Sequence, residues 1–271
     1  VLYSRRKKHK IKTEYSEYEF ETTTYTCQSA SHSLALFLIA LGIPYGKKTI
    51  CNFSIPQWIF KLPLWQKRLF LASYFGAEMS SPKFLTGHKY NIYCPVVSMN
   101  KKIQYKESGI KFFKQISQIL EEFGVETKKI SIRKIKNSDD KIQIRLILSS
   151  KLENLLNLYE KINFEYNKEK AFLGNVFAFY LRRKEKVINE RKKAEKVAVS
   201  LREEGYSINS IFSKINSEWV NRRFIERTIY EGRKTKPRVS FSFEDISRLV
   251  KETREKFGKS GFVLDRIIEI R

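Results

Sequence analysis

Residues 64–82, LWQKRLFLASYFGAEMSSP, read as a helix that runs into a patch of small residues and stops at a carboxylate. Ala72 and Gly76, and Ser73 and Ala77, are spaced i, i+4, so the four share one face of that helix. Ordinary side chains hold helix axes about 8–10 Å apart, whereas a face of Ala, Ser and Gly lets another backbone come closer. Residues 72–77 are therefore expected to be a helix contact surface, and whatever packs there fixes the position of Glu78.

Downstream the pattern continues. KYNIYCPVVSMNKK, rich in β-branched and aromatic residues, predicts a strand pair or one long strand. Ile110, Phe113, Ile116, Ile119, Leu120 and Phe123 then recur at helical spacing. KKISIRKI and KIQIRLIL flank the turn-like KNSDD and predict a hairpin. In its second strand Ile142, Ile144, Leu146 and Leu148 share one face, and Gln143 and Arg145 the other. SKLENLLNLYEKINFEYNKEK predicts a second helix that exits through an aromatic turn. From Glu78 onward the order is helix, two strands, helix, two strands, helix. Residues 24–49 repeat its last third: a strand ending in Ser leads to Leu34 as LILSSK leads to Leu152, and Tyr45-Gly46-Lys47 answers Tyr166-Asn167-Lys168. KKHKIKTEYSEYEF would be the earlier strand of that first copy.

After Tyr180 the composition turns basic. LRRKEKVINERKKAEKVAVSLREEGYS predicts a long helix with Gly205 as its stop, followed by two short helical segments joined by NSEW. That order is the helix-turn-helix pattern, with Arg222, Arg223 and Arg227 on its last helix.

Net charge is +24, from 53 Lys+Arg against 29 Asp+Glu, well beyond what solubility needs. Such an excess favours a polyanion, because neutralising phosphates releases condensed counterions. No run approaches the length of a membrane span. Cys27, Cys51 and Cys94 form no CxxC pair and are odd in number, so they are read as reduced, mostly buried thiols of an intracellular protein. His9, His32 and His88 lack metal-ligand spacing. The first residue is Val rather than Met, which points to a fragment or a processed product.

FLASYFGAEMS resembles the signature of the LAGLIDADG homing endonucleases, especially those embedded in archaeal inteins. Leu71 to Glu78 stand over its core, and Met79 stands where the signature closes on Gly. IPQWIFKLPLWQKRLFL is similar to the lead-in to that family's second signature helix, and LALFLIALGIPYGKKT to the helix and turn closing its first repeat. KAEKVAVSLREEGYSINSIFSKI resembles helix-turn-helix modules appended to some members, and GFVLDRIIEIR a strand where a splicing domain resumes.

The resemblance implies an α+β fold: an αββαββα saddle, one complete repeat plus part of another, followed by a small all-α helix-turn-helix domain. The divisions would be 1–63 (partial first repeat and linker), 64–185 (second repeat), 186–240 (basic helical module) and 241–271 (helix and strand tail). It implies site-specific, metal-dependent cleavage of double-stranded DNA, possible only when an upstream chain or second subunit supplies the missing signature helix. Ala72, Ser73, Gly76 and Ala77 would form the helix interface, with Glu78 holding a divalent metal, Mg²⁺. Lys47, Lys48, Lys168 and Lys170 would be the catalytic lysines near each repeat's closing turn. Arg133, Gln143 and Arg145 on the sheet, and Arg222, Arg223 and Arg227 beyond it, would contact DNA in a nucleoid-associated protein. A non-catalytic DNA-binding regulator built on a relic of this fold is the second reading, and RNA binding in a processing complex the third.

Overall fold

The alternation along residues 142–148 sends Ile142, Ile144, Leu146 and Leu148 to one side of strand β5 (Ser138–Leu148), and all four are buried. In the computed structural model, which describes residues 2–12, 17–85, 91–135 and 138–232, β5 is the central strand of a three-stranded antiparallel sheet. Its neighbours are β3 (Val96–Lys102) and β4 (Thr127–Ile135). Helix α4 (Lys106–Glu121) lies on the apolar side and buries Phe113, Ile116, Ile119 and Leu120 completely, at the spacing expected. Burying each such side chain is worth about 1.5–3 kcal/mol, which is what holds helix to sheet.

A short helix α2 (Gln57–Phe60) precedes α3 (Leu64–Glu78), which drives Leu71 and Phe75 into the same core. Helix α3 ends because Met79 turns to extended backbone and bridges Val97, while Ser80 N donates to Val96 O at 2.9 Å. Against α4 it is pinned by Lys67, only 6% exposed, whose Nζ donates to both carboxylate oxygens of Glu122 at 2.8 and 2.7 Å. Glu122 reaches solvent, so the charge that can be stranded is the buried Lys67 ammonium, once its partner is removed. Glu122→Leu is thus expected to cost about 2 kcal/mol in urea unfolding. Adding Lys67→Met should restore most of that loss, and a double variant no more stable than the single one would count against the pair.

Helix α5 (Leu152–Leu156) continues as a π-helical stretch, Asn157–Ile162. After the turn at 163–167 comes α6 (Lys168–Glu203), a 36-residue helix capped by Asn167, whose Oδ1 accepts from Lys170 N at 3.1 Å. Its first half packs Phe172, Val176, Phe177, Tyr180 and Leu181 into the main core. Its second half gives Ala194 and Ala198 to a separate small core, which is completed by Ile211 of α7 (Ile208–Ile215), Ile225 of α8 (Arg222–Tyr230) and Val220 of the connection between them. Gly205, at φ 89°, stops the helix where its sequence predicts.

All of these elements belong to the compact unit Gly46–Arg271, and a second unit, Val1–Tyr45, stands by itself. It holds a hairpin of β1 (Leu2–Lys12) and β2 (Glu17–Cys27), then α1 (His32–Ala40), capped by Ser31. Hairpin then helix is also the order of β4, β5 and α5. No helix of the described residues is long and apolar enough to cross a membrane.

The expected αββαββα saddle with an appended helix-turn-helix domain does not describe this architecture. The main sheet has three strands, because the first expected pair is reduced to an isolated bridge, Phe84↔Ile92, beside β3. Where one early strand was expected in 7–20, the chain forms the hairpin β1–β2. The boundary expected at 185/186 falls inside α6, a helix that the main body and the basic helices share. The expected tail, 241–271, lies outside the described residues. Cys51 and Cys94 are unpaired but only half-buried.

Candidate nucleic-acid interface

The C-terminal end of α3 gathers charged groups from distant parts of the unit. Lys48 Nζ donates to Glu78 Oε1 at 3.3 Å. Lys170 Nζ, from the first turn of α6, donates to the carbonyls of Gly76 at 2.9 Å and Met79 at 2.6 Å. Asn167 Nδ2 adds a bond to Gly76 O at 3.2 Å. A cation at this end also complements the negative pole of the helix dipole. Burial lowers the pKa of the Lys170 amine, and the Glu78 carboxylate opposes that shift. Burial, with Glu78 beside it, pushes the Tyr74 hydroxyl up, so it stays protonated. Of the four lysines expected here, Lys48 and Lys170 reach the Glu78 end, while Lys47 and Lys168 are exposed beside them in sequence.

The loop carrying Lys48 is hung on the end of β3 by a residue that sequence reasoning missed. Lys101 is fully buried; its Nζ donates to Cys51 O at 2.7 Å and lies 3.9 Å from the centre of the Phe53 ring. Burial lowers its pKa. Nothing in the local pattern VVSMNKK distinguishes it from its exposed neighbours.

The small-residue face meets the chain's own turn. Glu165 N donates to Ala72 O at 3.0 Å, and a Cβ on Gly76 would sit 2.0 Å from Glu165 O. Ala72 and Gly76 are buried by this contact, Ser73 is half-buried with its hydroxyl donating to Leu69 O at 2.6 Å, and Ala77 is exposed. The surface expected to receive a second helix is therefore half filled by residues 163–167.

A second concentration of charge lies on the sheet face opposite the core. Arg133 and Gln143 are cross-strand partners, and Arg145 follows on the same face with its Nη2 3.5 Å from Tyr93 Oη. Arg133 and Arg145 line a cleft of about 500 Å³ together with Lys128, Lys129 and Lys184, over an apolar floor that includes Ile147 and Leu181. Among the described residues, five cations and no carboxylate line it. Burial lowers the pKa of Lys184. Strand alternation placed Arg145 on this face and the resemblance named Arg133, but neither pointed to Lys184, which α6 brings in from beyond the sheet.

On the extension, Arg222 pairs with Glu226 at 2.9 Å and Arg227 with Glu231 at 4.0 Å, while Arg223 is exposed at the start of α8. Arg191 donates to Trp219 O at 2.7 Å and holds the α7–α8 connection against α6.

The Glu78 carboxylate is chemically compatible with a hard divalent cation as one of its oxygen ligands. It does not make a metal centre alone: no group of three or more His, Cys, Asp or Glu suited to a metal occurs among the described residues, and Lys170 already occupies the adjacent carbonyls.

No protein-family model matches the chain. It is 38% identical over 269 residues to the tRNA-splicing ligase RtcB of Pyrococcus furiosus, which covers 99% of the chain and 26% of that protein. With the tRNA-splicing ligase RtcB of Methanopyrus kandleri it shares 33% identity over 271 residues, 100% of the chain and 26% of the relative. Shorter stretches match a DNA-directed RNA polymerase subunit (29% identity, 68% of the chain, 14% of the relative) and the replication factor C small subunit (32%, 55% and 8%) of Methanocaldococcus jannaschii. None of these relatives is named an endonuclease, and those matching nearly the whole chain are named for tRNA splicing. The homing-endonuclease reading is corrected accordingly, and with it the intein and nuclease identity, cleavage of double-stranded DNA, the DNA-binding regulator, the DNA partner and nucleoid association. The physical reason is that positive charge suits any phosphodiester backbone and a small-residue face suits any close backbone contact, so neither selects DNA. Over nearly its whole length the chain is similar to proteins named tRNA-splicing ligase RtcB, and it spans about a quarter of their length.

Proposed function

We propose that this segment is a phosphodiester-backbone-binding module of a longer nucleic-acid enzyme, with RNA as its occupant. The observation that carries the reading is the cleft lined by Lys128, Lys129, Arg133, Arg145 and Lys184, with no carboxylate among its described lining residues. Such a surface gains affinity from each phosphate it neutralises. The choice of RNA is supported by the tRNA named in the relatives that match the whole chain. Ligation itself is not assigned to these residues, because parts of the same segment occur in proteins whose names describe transcription and replication. Glu78, Lys47, Lys48, Lys168 and Lys170 form a second phosphate-contacting region, and Arg222, Arg223 and Arg227 a third. Mg²⁺ would be held between Glu78 and a phosphate oxygen, a mixed ligand set usual for that ion.

Fluorescence anisotropy with labelled tRNA, and with duplex DNA of equal charge, over a salt series tests the proposal. Binding to tRNA is expected to weaken linearly in a log–log plot, with a slope corresponding to about three to five phosphates. Any part of the binding that needs Mg²⁺ should vanish in Glu78→Gln. Tighter binding of duplex DNA than of tRNA, or no binding of either, would overturn the assignment to RNA.

A further inference from the structure

Tyr166 stands on the turn entering α6 with φ 58°, a left-handed conformation that is an outlier for a bulky residue, and its ring is 93% exposed. The backbone around it is held from several directions. Glu165 N donates to Ala72 O at 3.0 Å, Arg68 pairs with Glu165 at 3.0 Å, and Asn167 reaches Gly76 O at 3.2 Å while capping α6. These contacts fix residues 165 and 167 and make no use of the ring between them. Gly or Asn would take the same backbone conformation at lower cost. Single exposed aromatics are common, but one held in a strained conformation by a braced frame gains nothing from the fold. Its surroundings are of mixed charge: exposed Lys168 lies two residues on, between Glu165 and Glu169, while at the end of α3 Lys48 pairs with Glu78 and Lys170 with backbone carbonyls. Tyr45, which precedes Gly46-Lys47 as Tyr166 precedes Asn167-Lys168, is likewise 84% exposed.

We propose that Tyr166 is a base-stacking residue: its ring receives an unpaired base of the bound strand while exposed Lys168 contacts a neighbouring phosphate. Unstacked bases of single-stranded RNA are commonly taken up on aromatic faces in this way. This inference rests on the RNA-binding reading above and adds a preference for single-stranded segments.

The test uses single-stranded RNA carrying one fluorescent adenine analogue, with unlabelled duplex RNA as competitor. Wild type and Tyr166→Phe should quench the analogue. Tyr166→Leu should lose the quench and bind the single strand about tenfold more weakly, with duplex affinity unchanged. Circular dichroism of Tyr166→Asn, which relieves the backbone strain without a ring, keeps the comparison free of misfolding and should give the same loss. If Tyr166→Leu and Tyr166→Asn bind single strands as wild type does, the stacking role is overturned and the cleft reading stands. If wild type binds no RNA, both readings fail.

Discussion

Gly76→Ala is expected to destabilise the main unit by about 3 kcal/mol or more, read as a shift in its urea-unfolding midpoint. The added methyl would lie 2.0 Å from Glu165 O, a backbone atom of a residue held by its own N–H, which donates to Ala72 O, and by the Arg68 ion pair. Overpacking typically costs about 1–3 kcal/mol when side chains can move aside, and here the obstacle is main chain. Separating α3 from the turn also breaks the bonds from Asn167 and Lys170 to Gly76 O, and so disturbs the charged cluster at Glu78. One position along, Ala77 is exposed, and Ala77→Ser should change stability by no more than about 0.5 kcal/mol. An unchanged midpoint for Gly76→Ala would show that residues 163–167 do not rest on α3.

Replacing Lys129, Arg133 and Arg145 together with alanine should weaken tRNA binding about a hundredfold at low salt and flatten the salt dependence by two to three phosphates. The side chains leave the sheet on the side away from the core, so urea stability should barely move and the loss is one of charge. Lys184 adds a pH signature. Burial holds its pKa below that of an ordinary lysine, so as pH rises it loses its proton earlier than a fully solvated lysine would. Affinity should therefore begin to fall at a lower pH in wild type than in Lys184→Arg, whose guanidinium stays charged. Retention of full affinity by the triple variant would remove the cleft from the binding surface.

Which parts of this were legible in sequence depended on whether the deciding contact was local. The buried side of β5 and the apolar stripe of α4 follow from periods of two and 3.6, and Ile142 to Leu148 and Ile110 to Phe123 display them directly. Residues 72–77 announce a close contact, but their partner lies 89 positions away in Glu165, and no local pattern names it. The hairpin of β1 and β2 was hidden because it is dominated by Lys, Glu and Thr, with ion pairs such as Lys10 with Glu17 and Glu19, so neither side carries an apolar signal. The sequence reading starts this helix only after Tyr180, where its composition changes from aromatic to basic, whereas α6 begins at Lys168. That change marks a passage between two cores and no break in the backbone. Glu78, Lys48 and Lys170 were singled out through the homing-endonuclease resemblance, and neither charge nor spacing in the sequence gives their chemistry.

The continuity of α6 has a mechanical consequence. At 1.5 Å per residue its 36 residues form a rod about 54 Å long. Lys184 stands near its middle, and the arginines of α8 are carried by its far end. The rod thus works as a caliper: the separation of the cleft from Arg222 and Arg223 is set by helix pitch, and a single inserted residue would swing the far jaw by about 100°. A strand gripped at both places would have to match that gauge, so the length of polyanion spanned is a property of one helix and not of a flexible tether.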